Sequence, residues 1–242
     1  MKKISCIIPA YNEGPRVEEV LRAVSGHPLL EEVIVVDDGS TDDTSARIFK
    51  FPNVRYIRQQ KNAGKCQTIY TGLKEAKHDI ICLIDADLAG IVAEDVTRLL
   101  RPVVEERADV SLSLRKNAPL VWRLIGLDYI SGERVFPKAL IASSMEAIAS
   151  LPRFGLEVFL NDLILRQHQK IAVVAWHAVK SPFKIKKRGL SPGLLADMHM
   201  MRDIFKTISP LRACIQIISM HARRTLYIEP LINERAAYES VR

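Results

Sequence analysis

Apolar residues in this chain come in short unbroken runs, each closed by a cluster of Gly, Asn, Asp or Ser. Ile4–Ile8, Val33–Val36, Val54–Ile57 and Ile80–Ile84 are four such runs. Little internal alternation is what a strand covered on both faces requires. The third run, between charged neighbours, reads as an edge. Between the runs the apolar spacing turns helical: Val17, Val20, Leu21 and Val24 share one face of a helix over about 15–25. Thr41, Asp42 and Asp43 start a second helix that runs to about Phe49. Asn62-Ala63-Gly64-Lys65 opens a third through about Ala76. This β-α-β-α-β-α-β order predicts an α/β fold, a single Rossmann-like, mostly parallel sheet flanked by helices.

Beyond residue 95 the pattern loosens. It predicts a helix over 94–106, a strand over 109–113, a helix over 118–130, and a turn with a short strand at 131–136. Helices over 138–149 and 156–167 follow, then a last strand over 171–175 with Trp176 and His177 at its end. Lys180–Gly193 is a basic loop with two prolines. From Leu194 to about Ala237 the spacing predicts one or two helices with a break at Ser209-Pro210. Residues 1–193 are expected to form one domain, with a ligand-binding half (1–95) and a second half (96–193). Residues 194–242 are expected as a helical C-terminal extension.

At 48% apolar and 26% charged residues, the 242-residue chain is too hydrophobic for disorder. Its net charge of +7 favours anionic partners such as phosphates or an acidic membrane surface. Aromatics are only 6% and no zinc-finger, RNP or KH pattern occurs, so nucleic acid is not the expected partner. Cys6, Cys66, Cys82 and Cys214 are scattered without a disulfide or CxxC spacing. No signal-peptide core or run of eighteen apolar residues is seen, so a reducing cytoplasm is the expected compartment.

Chemistry concentrates at the strand ends. Ile81-Cys82-Leu83-Ile84-Asp85-Ala86-Asp87 delivers two carboxylates, one residue apart, to the carboxyl end of a buried strand. Carboxylates in such a place need a cation or strong hydrogen bonds, and a divalent metal carrying a phosphorylated ligand satisfies both. Parallel sheets bind ligands outside those ends, where strand order switches. Tyr11–Glu13, Asp37–Ser40 and Asp85–Asp87 all fall there.

Four ordered motifs over roughly the first 90 residues resemble glycosyltransferase family 2, with its GT-A fold. They are Ile7-Ile8-Pro9-Ala10-Tyr11-Asn12-Glu13, Val33–Ser40 with Thr41-Asp42, Asn62-Ala63-Gly64-Lys65, and the DxD segment Leu83-Ile84-Asp85-Ala86-Asp87. Ser131-Gly132-Glu133-Arg134-Val135-Phe136 is similar to a segment of the dolichyl- and polyprenyl-phosphate sugar transferases. The resemblance implies an inverting enzyme that takes a sugar from a nucleotide-diphosphate donor, with Mg²⁺ or Mn²⁺ as cofactor. One departure stands out: Ala89 and Gly90 follow Leu88 where such enzymes carry Gln or another polar side chain, so the metal needs a ligand from elsewhere.

On this reading Asp87 is the leading metal ligand and catalytic residue, with Asp85 on metal or ribose and His177 as third ligand. Pro9, Tyr11, Glu13, Asp37, Asp38, Gly64 and Lys65 form the donor site: Tyr11 stacks on the base, Asp38 meets base or ribose, and Lys65 reaches the diphosphate. Glu157 is the expected base and Glu133 the second choice. Arg115, Arg123 and Arg134 are expected to make an anion site for an acceptor phosphate, and the basic loop with Lys184 and Lys187 to cover the diphosphate.

The preferred acceptor is a polyprenyl or dolichyl phosphate; the alternatives are a saccharide or small hydroxyl acceptor, or a non-catalytic nucleotide-sugar-binding scaffold. Apolar and basic residues mix along Leu211–Ile232. That is how a helix at an anionic membrane surface looks, and equally a helix packed on a basic domain or between copies in a homo-oligomer. A lipid acceptor would place the protein at the inner face of the cell membrane.

Overall fold

The computed structural model describes residues 2–152, 155–181 and 208–227. Eight strands form one sheet: β1 (Ile4–Ala10), β2 (Glu32–Asp37), β3 (Arg55–Arg58), β4 (Ile80–Leu83), β5 (Val110–Arg115), β6 (Arg134–Pro137), β7 (Ile171–Trp176) and β8 (Arg224–Tyr227). Their order is β3-β2-β1-β4-β6-β5-β7-β8. β6 alone among them runs antiparallel, to β4 and β5; the other pairings are parallel. The expected mostly parallel α/β sheet is present, and β3 is an edge.

The helices are α1 (Gly14–Val24), α2 (Thr44–Ile48), α3 (Lys65–Glu75), α4 (Ala93–Val104), α5 (Leu120–Ile125), α6 (Met145–Ile148), α7 (Gly155–Arg166) and α8 (Pro210–Arg223). Successive strand residues point to opposite faces, so each central strand feeds two cores. Cys6, Ile8, Val33 and Val35 pack with Val17, Leu21, Leu99 and Leu100 of α1 and α4. Ile7, Ile34, Val36 and Leu83 pack with Ile69, Leu73, Leu160 and Met220 of α3, α7 and α8. At Gly72 an added Cβ would lie 2.4 Å from Ile7 Cγ2, so α3 rests directly on β1.

Several elements differ from expectation for identifiable reasons. β1 runs through Pro9 to Ala10; its ladder to β4 ends at Ile7↔Leu83, so no partner is missing at the proline nitrogen. α2 starts only at Thr44, because Thr41 N–H and Gly14 N–H are bound by Asn12 Oδ1 and Asp42 Oδ2, which lace the β1 and β2 turns together. α5 stops at Gly126, which takes a left-handed φ of 63°. The segment after Pro137 is a 3₁₀ stretch, Lys138–Ser144, before the one-turn α6. Arg224–Tyr227, expected as helix, is the parallel strand β8 on β7. The break at Ser209-Pro210 is the start of α8, where Ser209 Oγ accepts from Arg212 N–H. Within the described residues no helix is long and apolar enough to cross a membrane.

Candidate active site

β1 leads toward β2 on one side and β4 on the other, so strand order reverses between β1 and β4. A cleft opens at the carboxyl ends of those two strands, lined by Pro9, Ala10, Tyr11 and Glu13 after β1 and by Asp85, Ala86 and Asp87 after β4. Asp38, Asn62, Gly64, Lys65 and Thr68 complete it. This is the switch point where open α/β sheets bind ligands.

Asp37 and Asp38 divide the work of their turn. Asp37 is fully buried outside the cleft lining; it accepts from Ser40 N–H at 2.8 Å and Tyr56 O–H at 2.6 Å. It acts as a turn-building carboxylate, and no part of it lines the cleft where the donor contact expected of it would fall. Asp38 lines the cleft, but its oxygens accept from Ala63 N–H (2.7 Å) and Gly64 N–H (2.9 Å). Its visible role is to hold the loop that opens α3. Gly39 makes that possible: its φ is +72° and an added Cβ would meet the Lys61 backbone at 3.0 Å. Tyr11 is 43% exposed at the rim, which places its ring in the cleft and not in the core.

Lys65 bridges the two halves of the protein. Its Nζ lies 2.8 Å from Asp85 Oδ1 and 3.3 Å from Glu157 Oε1. Burial opposes the ammonium charge, yet Asp85 and Glu157 hold its pKa above the usual lysine value. Among the described residues Asp87 forms no such ion pair. Burial, then the neighbouring Asp85, Glu13 and Glu133 carboxylates, push its pKa up to about 6 against the weaker pull of Lys65. A cleft with this surplus of carboxylate oxygen fits a hard divalent cation, which relieves the repulsion that raises Asp87. His177 is exposed and does not line the cleft. No group of three or more metal-ligating side chains forms among the described residues. The third-ligand role expected of His177 thus has no counterpart in the cleft lining formed by the described residues.

The arginines expected to receive an acceptor phosphate are largely committed elsewhere. Arg134 is 1% exposed and donates to Ser131 O, Tyr129 O and Asn161 Oδ1 at 2.6, 3.1 and 2.7 Å. Arg115 lies 3.4 Å from both Asp128 Oδ2 and Glu133 Oε1, two fully buried carboxylates. Glu133 also accepts from Ser113 Oγ at 2.6 Å. Glu133, fully buried and bound by Ser113 and Arg115, lies outside the cleft lining, and Arg134 is spent on protein acceptors. Arg123 is exposed on α5 and outside the cleft lining. Glu157 is buried in the first turn of α7 behind Lys65. Lys184 and Lys187 lie outside the described residues.

Sequence reasoning missed three contributors. Gly132 backs Asp85: an added Cβ would stand 2.5 Å from Asp85 Oδ2. Ser181 Oγ donates to Asp87 Oδ1 at 3.3 Å, and Asn117 grips the backbone of Ser181. None belongs to the four motifs, and only the antiparallel placement of β6 and the exit of β7 bring them in.

Fold and site together define a mixed α/β protein with a carboxylate-lined, phosphate-compatible cleft at a topological switch point. A family model described as glycosyl transferase family 2 matches residues 5–151, and the chain belongs to that family. It is 28% identical over 215 residues to a dolichol-phosphate mannosyltransferase of Pyrococcus furiosus (78% of this chain, 58% of that protein). It is 26% identical over 215 residues to a dolichyl-phosphate β-glucosyltransferase of Trichomonas vaginalis (82% and 56%). The chain thus spans a little over half the length of these curated relatives. A solved structure of similar fold is glucosyl-3-phosphoglycerate synthase of Mycobacterium tuberculosis with Mn²⁺, UDP and glucosyl-3-phosphoglycerate. Its TM-score is 0.66 at 26% identity, covering 88% of this chain and 80% of that one.

Proposed function

We propose that the cleft binds a nucleoside diphosphate sugar with a divalent cation, and that the protein transfers the sugar with inversion to the hydroxyl of a small acceptor. The observation that carries this reading is the switch-point cleft itself: Asp85 and Asp87 face a loop whose amides are held by Asp38, with Lys65 between donor and acceptor halves. Asp87, with Asp85 beside it, would hold the cation; bound there, it supplies positive charge to the leaving diphosphate. Tyr11 offers a face to the base. Lys65 adds a positive charge beside the cleft and keeps Asp85 and Glu157 in place. Glu157 takes the acceptor's proton as the acceptor oxygen bonds to the anomeric carbon; the electron pair of the breaking bond leaves on the diphosphate oxygen.

Among the described residues, burial of Arg134 and the pairing of Arg115 favour a reacting hydroxyl over a reacting lipid phosphate, since a phosphate nucleophile needs free cations beside the reacting oxygen and no base. The mycobacterial structural relative, whose product is glucosyl-3-phosphoglycerate, supports the same choice. The experiment is transfer from UDP- and GDP-sugars, with and without Mn²⁺, to a panel holding 3-phosphoglycerate, simple sugars and a short-chain polyprenyl phosphate. Metal-dependent transfer to a hydroxyl acceptor, lost about 10²- to 10⁴-fold in Glu157→Gln, supports the reading. Transfer to the polyprenyl phosphate alone, insensitive to Glu157→Gln, overturns it.

A second reading has its own observation. α8 buries Ala213, Gln216 and Met220 but exposes Leu211, Ile215 and Ile218, with Arg212 and Arg223 exposed nearby. That outer face suits an anionic bilayer, where a polyprenyl phosphate would be met, and the two dolichol-linked relatives point the same way. Sedimentation with phosphatidylglycerol vesicles, lost when Ile215 and Ile218 become Ser, would favour it.

A further inference from the structure

The turn that carries Asp85 and Asp87 is held from outside the donor half. Ala89 pairs with Lys180 as an isolated antiparallel bridge, with N–H to O distances of 2.8 and 2.9 Å in the two directions. Gly90 N–H also donates to Glu19 Oε1 at 2.6 Å. The bridge brings the next residue, Ser181, to Asp87, where its hydroxyl donates to Oδ1 at 3.3 Å. Ser181 is itself clamped: Asn117 Nδ2 donates to Ser181 O at 2.6 Å, and Ser181 N–H donates to Asn117 Oδ1 at 3.2 Å. That two-way grip ties the turn after β5 to the chain leaving β7.

We propose that Asn117 and Ser181 are positioning residues for the metal-binding carboxylate: Asn117 sets the backbone of Ser181, and the Ser181 hydroxyl aims Asp87. Three features carry the argument. Asp87 shares its cleft with Glu13 and Asp85, and the Ser181 hydroxyl is the side-chain donor that the described residues bring to it. Of the two oxygens, Oδ1 receives the hydroxyl, which leaves Oδ2 for a cation. Asn117 spends both amide atoms on the N–H and C=O of one residue, a donor-and-acceptor pair that only Asn, among side chains this short, provides. A serine hydroxyl also donates without adding negative charge to a site already crowded with it. Outer partners of metal ligands act this way, by orienting the ligand and not by touching the ion.

This inference rests on the cation reading of the cleft, so the test reads cation binding directly. Free Mn²⁺ is measured by electron paramagnetic resonance during titration of the full chain with and without UDP. Ser181→Ala and Asn117→Ala should each weaken Mn²⁺ binding about tenfold, the low end for outer-shell partners because the 3.3 Å bond is long. The double variant should lose no more than the weaker-binding single one, because Asn117 acts through Ser181. Ser181→Thr, which keeps the hydroxyl, should bind as the wild type does. Unfolding temperature is followed throughout, and Ser181→Ala, at a loop position, supplies the answer if Asn117→Ala fails to fold. Wild-type Mn²⁺ affinity in a folded Ser181→Ala overturns the inference alone. Absence of Mn²⁺ binding by the wild type overturns the cation reading beneath it as well.

Discussion

The half proposed to bind the donor (residues 1–95) and the half proposed to bind the acceptor (residues 96–193) handle charge in opposite ways. At the ends of β1 and β4, carboxylates project into an open cleft and crowd one another, so that Asp87 is pushed up to about 6. Around β6, Arg115 pairs with Asp128 and Glu133 while Arg134 donates to Ser131 O, Tyr129 O and Asn161 Oδ1; all four are packed into the protein, and only Arg115 Nε and Asp128 Oδ1 among their buried polar atoms lack a hydrogen-bond partner. The first arrangement leaves like charges facing one another across open space; the second matches two arginines to two carboxylates inside the protein. Charge left unbalanced in a cleft marks a place of chemistry, whereas balanced buried charge marks a place where the fold is specified. Two charged segments that look alike in sequence therefore serve different ends.

The sharpest way to break that contrast is Arg134→Met. Removing one charge of a buried ionic cluster leaves Asp128 and Glu133 facing Arg115 alone and strands Ser131 O and Asn161 Oδ1. Urea denaturation should show a loss of about 3–5 kcal/mol. A variant that folds with wild-type stability but loses acceptor binding would return Arg134 to the role of an anion ligand. Asp87→Asn should behave in the converse manner: thermal unfolding near or above that of the wild type, because a repelled carboxylate is removed, but turnover reduced about 10²- to 10³-fold. Undiminished turnover in Mn²⁺-containing buffer would remove Asp87 from the centre of the site.

Gly132→Ala probes the seam between the halves. The new methyl would press on Asp85 Oδ2 at 2.5 Å and Oδ1 at 2.9 Å, and the carboxylate must move or part from Lys65. Folding should survive, since the obstacle is a side-chain terminus, while catalytic efficiency falls by up to about 10²-fold. Equal efficiency would mean that Asp85 is free to shift without consequence.

What the sequence made legible follows the same division. Unbroken apolar runs ending in Asp-Asp-Gly or Asp-Ala-Asp reveal β1, β2 and β4 together with their cleft, because each motif acts close to where it is written. Tyr11, Asp38, Lys65, Asp85 and Asp87 all line the cleft as the motifs imply. The acceptor half depends on pairings distant in the chain. β6 enters antiparallel between β4 and β5, and that alone decides that Arg134 faces inward and that Gly132 meets Asp85. β8 was hidden for a related reason: four residues after a long helix carry no periodicity of their own, and only β7's open edge makes Arg224–Tyr227 a strand.

The smallest effect concerns charge that is neither in the cleft nor deeply buried. Glu18 on α1 receives hydrogen bonds from Lys50 at 2.7 Å and Arg47 at 2.9 Å, and it pairs with Arg22. The Lys50 bond, then the Arg47 bond, hold its carboxyl down to about 2 from an ordinary 4.5. The folded protein therefore releases this proton more readily than the unfolded chain between those values. The resulting stability is fully present above pH 4.5 and is lost as pH falls through about 2. Lys50 and Arg47 are well exposed, with side chains 57% and 39% accessible, so solvent and salt screen the pairing. The difference in unfolding temperature between wild type and Glu18→Gln should be small at pH 6, shrink toward zero as pH drops to 2, and narrow again in 1 M salt. Arg134→Met, compared over the same pH and salt range, should keep its deficit in high salt, because its charges lie where ions do not reach. If both deficits vanished in salt, the acceptor-half cluster would belong with the surface pairs, and the distinction between balanced buried charge and open cleft charge would fail.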